Sequence, residues 1–534
     1  MATQLYKMHT AETPDGGELI FAGCASWSMS GRKVKTSSWD GVEERNLWSF
    51  HRLAPLVGVK VHTIITGCVA NHTFVLAENG IYCWGRNESG ELGLGDTDNR
   101  YKPTLLSKLN NPEDMIVGGA CGDKHSLLFT KSGVLYTAGS NEFGQLGTGQ
   151  SGGSNVNPSR VSTIDGVRCS GAGRGFSVIG TQTGKCYSFG YPKDGVLGHG
   201  SEGKFLGTGN RWEYSLECRP REIDALKGVT IADLQCGALH TIAADVEGKV
   251  WTWGFGGYGR LGHGDNKTQL SPKPLEYFHN VPKKKPEGAN IHFFRPERPR
   301  RLKTIAAGSR CCFGVDSFDQ CYFWGVTKSS GEATMYPKLF DGLSGWRVRE
   351  ISSGFSSTIC AAEDSLIAWG PSPTSGELGY GEKDVKSSTV TKAVDDLEDT
   401  NILKVGMGYN HSLAIVDLQD GGKKKVEKLA VFDPPELKDI PNRQKIIQEA
   451  MSLSSAGSKQ RKRKKNEETE DGTDVEEESD EAEEDGELRP EDVSGMTATS
   501  MKEHLKEFGL RTSGKKAQLA QRLKQFLKKR AKKK

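Results

Sequence analysis

The stretch KVWTWGFGGYGRLGHGD, Lys249–Asp265, decides the fold. Val250, Thr252 and Gly254 alternate with Trp251 and Trp253, a period of two, which predicts a strand whose two faces meet different surroundings. The glycines that follow permit positive φ and close backbone approach, so the run continues as a tight surface loop ending in Leu-Gly-x-Gly-Asp.

The same unit recurs along the chain. It returns as YCWGRNESGELGLGD (Tyr82–Asp96), YTAGSNEFGQLGTG (Tyr136–Gly149), YSFGYPKDGVLGHG (Tyr187–Gly200) and AWGPSPTSGELGYG (Ala368–Gly381). In YFWGVTKSSGEATMYP (Tyr322–Pro337) the Leu-Gly element is lost. A second signature, a glycine followed by alternating apolar residues, accompanies it, as in CGDKHSLLF (Cys121–Phe129), CGALHTIAA (Cys236–Ala244) and MGYNHSLAI (Met407–Ile415). The marker glycines Gly85, Gly139, Gly190, Gly254, Gly325 and Gly370 stand roughly 45–70 residues apart, the blade spacing of a β-propeller with variable insertions. The strand around His411 has no Trp-Gly partner after it, and LIFAG (Leu19–Gly23) near the N-terminus has none before it. Joining them predicts a seventh blade built from both ends of the chain, with Gly23 as its marker; such closure removes an open sheet edge.

These spaced motifs resemble the regulator of chromosome condensation (RCC) repeats, over about Glu18–Asp417. The resemblance implies a seven-bladed propeller. The runs WGFGGYGRLGHGD, TMYPK (Thr334–Lys338) and WGPSPTSGELGYG, with the insertion Ser201–Arg221, are similar to the second paralogue of that family, the telophase disc branch.

Composition agrees with this organisation. The chain has 534 residues with 66 glycines, and a propeller uses about 400 residues as one closed unit. Net charge is only +3, an average that hides local asymmetry. The twelve cysteines form no C-x-x-C pair, and several occupy matching repeat positions, which reads as reduced core thiols of an intracellular protein. MATQLYKMHT lacks the apolar core of a signal peptide, and no stretch is apolar enough to span a bilayer.

Residues 1–17 are expected to be disordered and 18–417 to form the propeller. Cys24–Pro55 reads as a link carrying Trp27, Trp39 and Trp48, rings that cover a propeller face or offer a partner site. His72, His125, His240 and His411 recur after the blade glycine, with Cys68, Cys121 and Cys236 four residues before three of them. A metal site is one reading. Repeat symmetry instead puts the pairs in separate blades, where they serve packing and hydrogen bonding, so no metal or other cofactor is expected.

Within Pro282–Lys303, Lys283, Lys284, Lys285, Arg295, Arg298, Arg300, Arg301 and Lys303 face only Glu287 and Glu297, with His292, Phe293 and Phe294 between them. That mixture suits phosphate or an acidic protein surface. A solvated loop without specific contacts is the alternative. Residues 418–490 read as a disordered linker. Its cluster Lys459, Arg461, Lys462, Arg463, Lys464 and Lys465 reads as a nuclear localisation signal or nucleic-acid patch. Glu467–Glu487 holds fourteen acidic residues and no basic one, too self-repelling to fold; it could contact histones, and Ser479 there suits acidophilic kinases.

The last segment regains helical patterning. Met501, Leu505 and Phe508 share a helical face, Gly509 suits its left-handed stop, and Thr512 or Ser513 can cap a second helix bearing Ala517, Leu519, Leu523 and Phe526. Residues 491–527 resemble a SAP domain, a small helix–turn–helix-like module of chromatin proteins. The resemblance implies that Thr512, Ser513, Gly514, Lys515, Lys516 and Arg522 meet duplex DNA, the turn amides and lysines facing phosphates at a helix N-terminus. The basic tail 528–534 adds unspecific attraction.

Three function classes compete. One is a chromatin-associated scaffold with a mitotic role, a propeller for protein partners and a SAP module for DNA. Another, implied by the RCC resemblance, is guanine-nucleotide exchange or related regulation of a small GTPase. The third is a hydrolytic or metal enzyme, against which stands the lack of H-E-x-x-H and P-loop motifs, so no catalytic residue is assigned. The first is adopted, with the second as the alternative. It carries the expectation of a monomer in the nucleus and on chromosomes, with the nucleolus and the mitotic spindle or midzone as further sites.

Overall fold

The computed structural model describes residues 16–27, 30, 46–208, 210–279, 300–327, 332–371, 375–382, 388–419, 421–435 and 520. Residues 1–443 form one compact unit and 444–534 a second, of which only Ala520, in helical conformation, is described.

The first unit is a seven-bladed β-propeller. Blade 1 runs outward from the axis through Val61–Ile65, His72–Ala77, Gly80–Gly85 and Arg100–Leu105, all antiparallel. Blades 2 to 6 repeat this order, their innermost strands being Ile116–Cys121, Val167–Ala172, Ile231–Cys236, Leu302–Ala307 and Val348–Ser353. Blade 7 is assembled from both ends of the chain. Ile402–Met407 and His411–Val416 supply its inner half, Glu18–Cys24 its third strand and Asn46–Leu53 its fourth. The stretch read as a link therefore carries a blade strand. Within it Trp27 is buried, its ring edge-on to Phe21 and His411; Trp39 lies outside the described residues. Past Asp417, where the repeat pattern stops, a helical turn Gly422–Val426 leads to Val431–Phe432, which adds a short parallel strand outside Asn46–Leu53.

Alternation along the third strand has a clear cause. All five residues of Val250–Gly254 are buried, because neighbouring blades cover both faces. Trp251 and Trp253 pack with blade 3 residues such as Val178 and Val196, while Val250 packs with blade 5 residues such as Cys312 and Tyr322. Trp253 also donates its indole N–H to the Val196 carbonyl at 2.9 Å, tying blade 4 to the blade 3 loop.

The marker glycine closes the third strand against the first residue of the second. Gly85 lies opposite His72, at φ 118°, and a Cβ there would stand 2.5 Å from both the Asn71 carbonyl oxygen and the His72 Cα. Gly23, Gly139, Gly190, Gly254 and Gly325 repeat the arrangement with φ from 97° to 117°. Gly370 keeps the close approach, to Ser357, without the left-handed backbone.

The recurring histidines stitch one blade to the next. His72 Nε2 lies 2.7 Å from Ser126 Oγ of blade 2, His125 Nε2 2.9 Å from Ser177 of blade 3, and His411 Nε2 2.7 Å from Thr73 of blade 1. His240 Nε2 lies 3.1 Å from the Cys312 sulfur. Ser126 and Ser177 donate to the carbonyls of Glu91 and Gln145, so each accepts from the imidazole, whose proton sits on Nε2. The glycine three residues earlier gives the ring its space: a Cβ on Gly122, Gly237 or Gly408 would stand 2.0–2.3 Å from the Cε1 of the histidine in the same blade. That is the reason for the Gly-x-x-His spacing. In blades 3, 5 and 6 Phe176, Cys311 and Ser357 take the histidine's place. All twelve cysteines are free thiols, and among the described residues no group of three His, Cys, Asp or Glu is placed to hold a metal ion.

Two predictions follow from this architecture. Glu18–Cys24 is buried at every position, and Leu19, Ile20 and Phe21 alone contribute about 1.5–3 kcal/mol each by burial, together comparable to the whole stability of a domain. Deleting residues 1–23 is expected to lower the melting temperature sharply and to cause self-association through the opened sheet. A truncated chain that melts like the parent and stays monomeric would show the closure to be dispensable.

The second concerns acid. Burial lowers the pKa of His72, His240 and His411 to about 3 and of His125 to about 4. The unfolded chain, with histidine near 6.5, binds more protons between these values, so stability is intact above about pH 6.5 and falls as pH drops toward 4. Burial lowers His199 and His263 to about 4 as well. It raises Glu91 and Asp233 to about 7 and pushes Asp245 and Asp316 up, which acts oppositely, costing stability as pH rises, but the lowered histidines outnumber these carboxyls. Thermal melts from pH 7 to 4 are expected to show a steady decline that is shallower for His411→Gln, which keeps an N–H donor and cannot titrate. Equal slopes for both chains would refute the linkage.

Candidate interaction faces

Strand direction alternates within every blade, so each loop type falls on one end of the propeller. Turns between the first and second strands, and loops between the third and fourth, share one end, here the loop face. Turns between the second and third strands, and crossovers to the next blade, share the other, the crossover face.

On the loop face the inner turns converge on the axis. Blade 1 places Cys68 and Val69 there, buried against Ala238, Leu239 and Phe355, and the Cys68 thiol points at the Cys236 carbonyl of blade 4 at 3.7 Å. This turn caps the axis. Around the cap lie paired cations and rings: Phe355 stacks on Tyr409 with centroids 4.3 Å apart, Arg174 lies 5.7 Å over Phe355, and Arg310 lies 5.4 Å over Tyr258. Arg260, buried beneath, lies 4.8 Å over Phe255 and donates to the Ser309 carbonyl at 3.1 Å; burial lowers its pKa to about 10, which leaves it charged. Tyr258 sits at φ 62°, a left-handed conformation rare for a tyrosine. Cations held on aromatic faces around a closed centre suit carboxylates or phosphates.

The blade 3 loop rises beside this ring. Inside the insertion Ser201–Arg221, Lys204–Leu206 and Trp212–Tyr214 pair as a hairpin, Leu206 opposite Trp212. Its base is anchored, Tyr214 edge-on to Tyr191, which stacks on Phe143. Its end is open: Phe205, Leu206 and Trp212 are 46%, 55% and 62% exposed, and the Lys204 ammonium lies 4.8 Å over Trp212. Exposed apolar residues so grouped mark an interaction site rather than scattered surface.

The basic insertion leaves from the crossover face, between the last strand of blade 4 and the first of blade 5. Only its neck is described. Arg301 donates to the Phe278 carbonyl at 2.7 Å, and Arg300 lies 4.6 Å over Tyr277. Lys303 pairs with Asp319. These cations, grouped by sequence with the partner-binding set, are engaged with the propeller itself. Lys283, Lys284, Lys285, Arg295 and Arg298 lie outside the described residues, as do the cluster Lys459–Lys465 and the SAP-like residues Thr512, Ser513, Gly514, Lys515, Lys516 and Arg522.

Sequence reading did not single out the loop-face ring. Its members, Arg174, Arg310, Phe355, Tyr258 and Tyr409, come from five blades and share no motif. The hairpin was visible only as an insertion of odd length; the signal that could have found it is Phe205-Leu206 and Trp212 within a polar loop.

A propeller of these repeats, closed through its termini, defines a class, and comparison with known proteins gives the family. The regulator of chromosome condensation (RCC1) repeat model matches residues 78–129, 132–179, 183–244 and 247–286, and a SAP domain model matches 492–528. Protein RCC2 of Homo sapiens is 38% identical over 438 residues, covering 78% of this chain and 80% of that one; the Danio rerio homologue is 37% identical, covering 78% and 84%. The chain belongs to the regulator of chromosome condensation repeat family. Among solved structures, yeast RCC1 (Prp20) bound to Kap60 superposes with a TM-score of 0.60 at 17% identity over 80% of this chain and 95% of that one, and human WBSCR16 with 0.58 at 20% identity over 75% and 99%. Those two similarities speak for the fold alone.

Proposed function

We propose that the protein is a chromatin-associated regulator: the propeller receives protein partners, and the C-terminal module holds duplex DNA. The observation that carries this is the coexistence in one chain of the repeat propeller and the SAP match at 492–528, whose Thr512-Ser513-Gly514-Lys515-Lys516 turn precedes a lysine-rich tail. Met501–Lys534 holds thirteen basic and two acidic residues, so backbone attraction dominates. Such contacts position a protein without reading bases. Fluorescence anisotropy on labelled duplexes of differing sequence across a salt series is the test. Binding is expected to weaken steeply with salt, and Lys515→Glu with Lys516→Glu to weaken it about tenfold or more on every sequence. Equal affinity of the parent and the double variant at moderate salt would remove the turn from the interface.

A second reading, regulation of a small GTPase, is favoured by the loop face, where the exposed hairpin stands beside the arginine–aromatic ring. A solved structure of Prp20p, a protein that binds Gsp1p and histones, superposes with a TM-score of 0.57 at 16% identity over 78% of this chain and 94% of that one. Exchange needs no nucleophile, only a surface that disfavours bound nucleotide. Under this reading the full chain accelerates nucleotide release from one member of a GTPase panel, and Phe205→Ser with Trp212→Ser cuts that acceleration at least tenfold. No acceleration on any member would eliminate it.

A further inference from the structure

We infer that the capped axis of the loop face is a docking site for an extended acidic segment of a partner polypeptide, whose carboxylates are held by Arg174 and Arg310. The site does not need the blade 3 hairpin, on which the GTPase reading turns.

The inner turns are unevenly charged. The seven turns between first and second strands carry Lys124, Arg174 and Arg310 against Asp123 alone. Arg174 and Arg310 are half-buried, and among the described residues neither guanidinium has a carboxylate or hydrogen-bond partner. Each is laid on a ring instead, Arg174 5.7 Å over Phe355 and Arg310 5.4 Å over Tyr258. An aromatic face holds a guanidinium in place and leaves its N–H edge open, where a carboxylate takes two parallel bonds.

A third cation lies beneath. Arg260 is buried and donates to the carbonyls of Gly257 at 2.9 Å and Ser309 at 3.1 Å, not to a carboxylate, so its charge is stabilised without being cancelled. It adds positive potential under Tyr258, whose ring meets Arg260 at 5.7 Å and Arg310 at 5.4 Å. Holding that ring there takes a left-handed backbone, where blade 3 has Asp194, a residue type better suited to it. Strain retained at such a place points to a use for the side chain. The Tyr409 ring stacks on Phe355, and its hydroxyl lies within electrostatic reach of Arg174 and Arg310. Burial raises the Tyr409 pKa, so the hydroxyl stays a donor.

Spacing selects the occupant. Arg174 and Arg310 stand on turns two blades apart, with half-buried Leu239 of the blade 4 turn between them. Leu239 and Phe355 pack on the buried cap of Cys68 and Val69, so the floor between the cations is apolar. An extended chain puts alternate side chains on one face, roughly 7 Å apart, so it can set an apolar residue over this floor with a carboxylate on either side. One compact anion has no such reach. Asp123, on the blade 2 turn and also felt by Tyr409, repels the segment there and turns it toward blades 3 to 5.

The test is anisotropy with the full chain and a short fluorescein-labelled peptide in which glutamates flank leucine at alternate positions among serines. Arg174→Gln with Arg310→Gln is expected to weaken binding about tenfold or more, as loss of arginine anchors at an interface does. Arg174→Lys with Arg310→Lys keeps the charge but loses the planar fork, and is expected to weaken it about threefold or more. Phe205→Ser with Trp212→Ser is expected to leave affinity unchanged. The lysine-rich C-terminus attracts the peptide alike in all these chains, so differences between them report the cap. A glutamine pair that binds like the parent overturns the inference. So does a lysine pair that binds like the parent while the glutamine pair is weakened, since charge alone then accounts for the attraction. A hairpin variant weakened as much as the glutamine pair overturns it by moving the contact to the hairpin. A labelled oligothymidylate that loses more affinity than the peptide in the glutamine pair overturns it by assigning the cap to single-stranded nucleic acid.

Discussion

The bond on which the ring depends is the one from a buried imidazole to a hydroxyl or thiol on the next blade. A propeller blade contacts its two neighbours, and apolar packing between flat sheets fixes their separation better than their sliding. A hydrogen bond adds direction. His72, His125, His240 and His411 each place one across a blade boundary in a dry environment, where losing a partner leaves a costly unsatisfied group. Burial explains why the rings stay neutral, and the hydroxyls' own donation to backbone carbonyls explains which nitrogen holds the proton. The glycines around them follow from the same requirement: one admits the ring, and another lets the third strand close over the residue that bears it.

Closure applies this to the hardest boundary. Blade 7 joins strands separated by most of the chain, and its second strand supplies His411, bonded to Thr73 of blade 1. The third and fourth strands are also tied by an ion pair, Arg52 Nε to Glu18 Oε1 at 2.5 Å, with both side chains largely buried. Such a pair adds little net stability because desolvation offsets attraction, yet removing one member strands a buried charge. It therefore penalises a misplaced third strand more than it rewards a correct one. Val431–Phe432 then covers part of the outermost edge, so the C-terminal chain contributes twice to the seam.

What was legible in the sequence was whatever recurs. The glycine and aromatic markers exposed the blade number, and the unpaired LIFAG strand exposed the closure, because each blade solves the same packing problem with the same residues. The four histidines were read as structural from their spacing alone, but their partners were not readable: Ser126 and Ser177 are ordinary strand residues until the neighbouring blade is placed beside them. The fourth strand of blade 7 was hidden because Asn46–Leu53 has no marker; outer strands are half-exposed and carry little pattern. The arginine–aromatic ring was hidden for a related reason. It is assembled from one or two residues in each of several turns, and no local window contains it. Arg300 and Arg301 show the converse limit, since composition groups them with Lys283, Lys284 and Lys285 while geometry commits them to Tyr277 and Phe278.

Separation of the two faces is a consequence of alternating strand direction, and it bears on how such a protein can evolve. An insertion between the third and fourth strands emerges on the loop face, and one between blades emerges on the crossover face, whatever its sequence. The blade 3 hairpin and the blade 4 to 5 insertion fall into these two classes. Neither disturbs the histidine bonds, which lie inside the ring at the starts of the second strands. Each face can therefore change its partner chemistry, apolar and arginine-rich on one side, charged on the other, while the interior that holds the blades in register is left as it was.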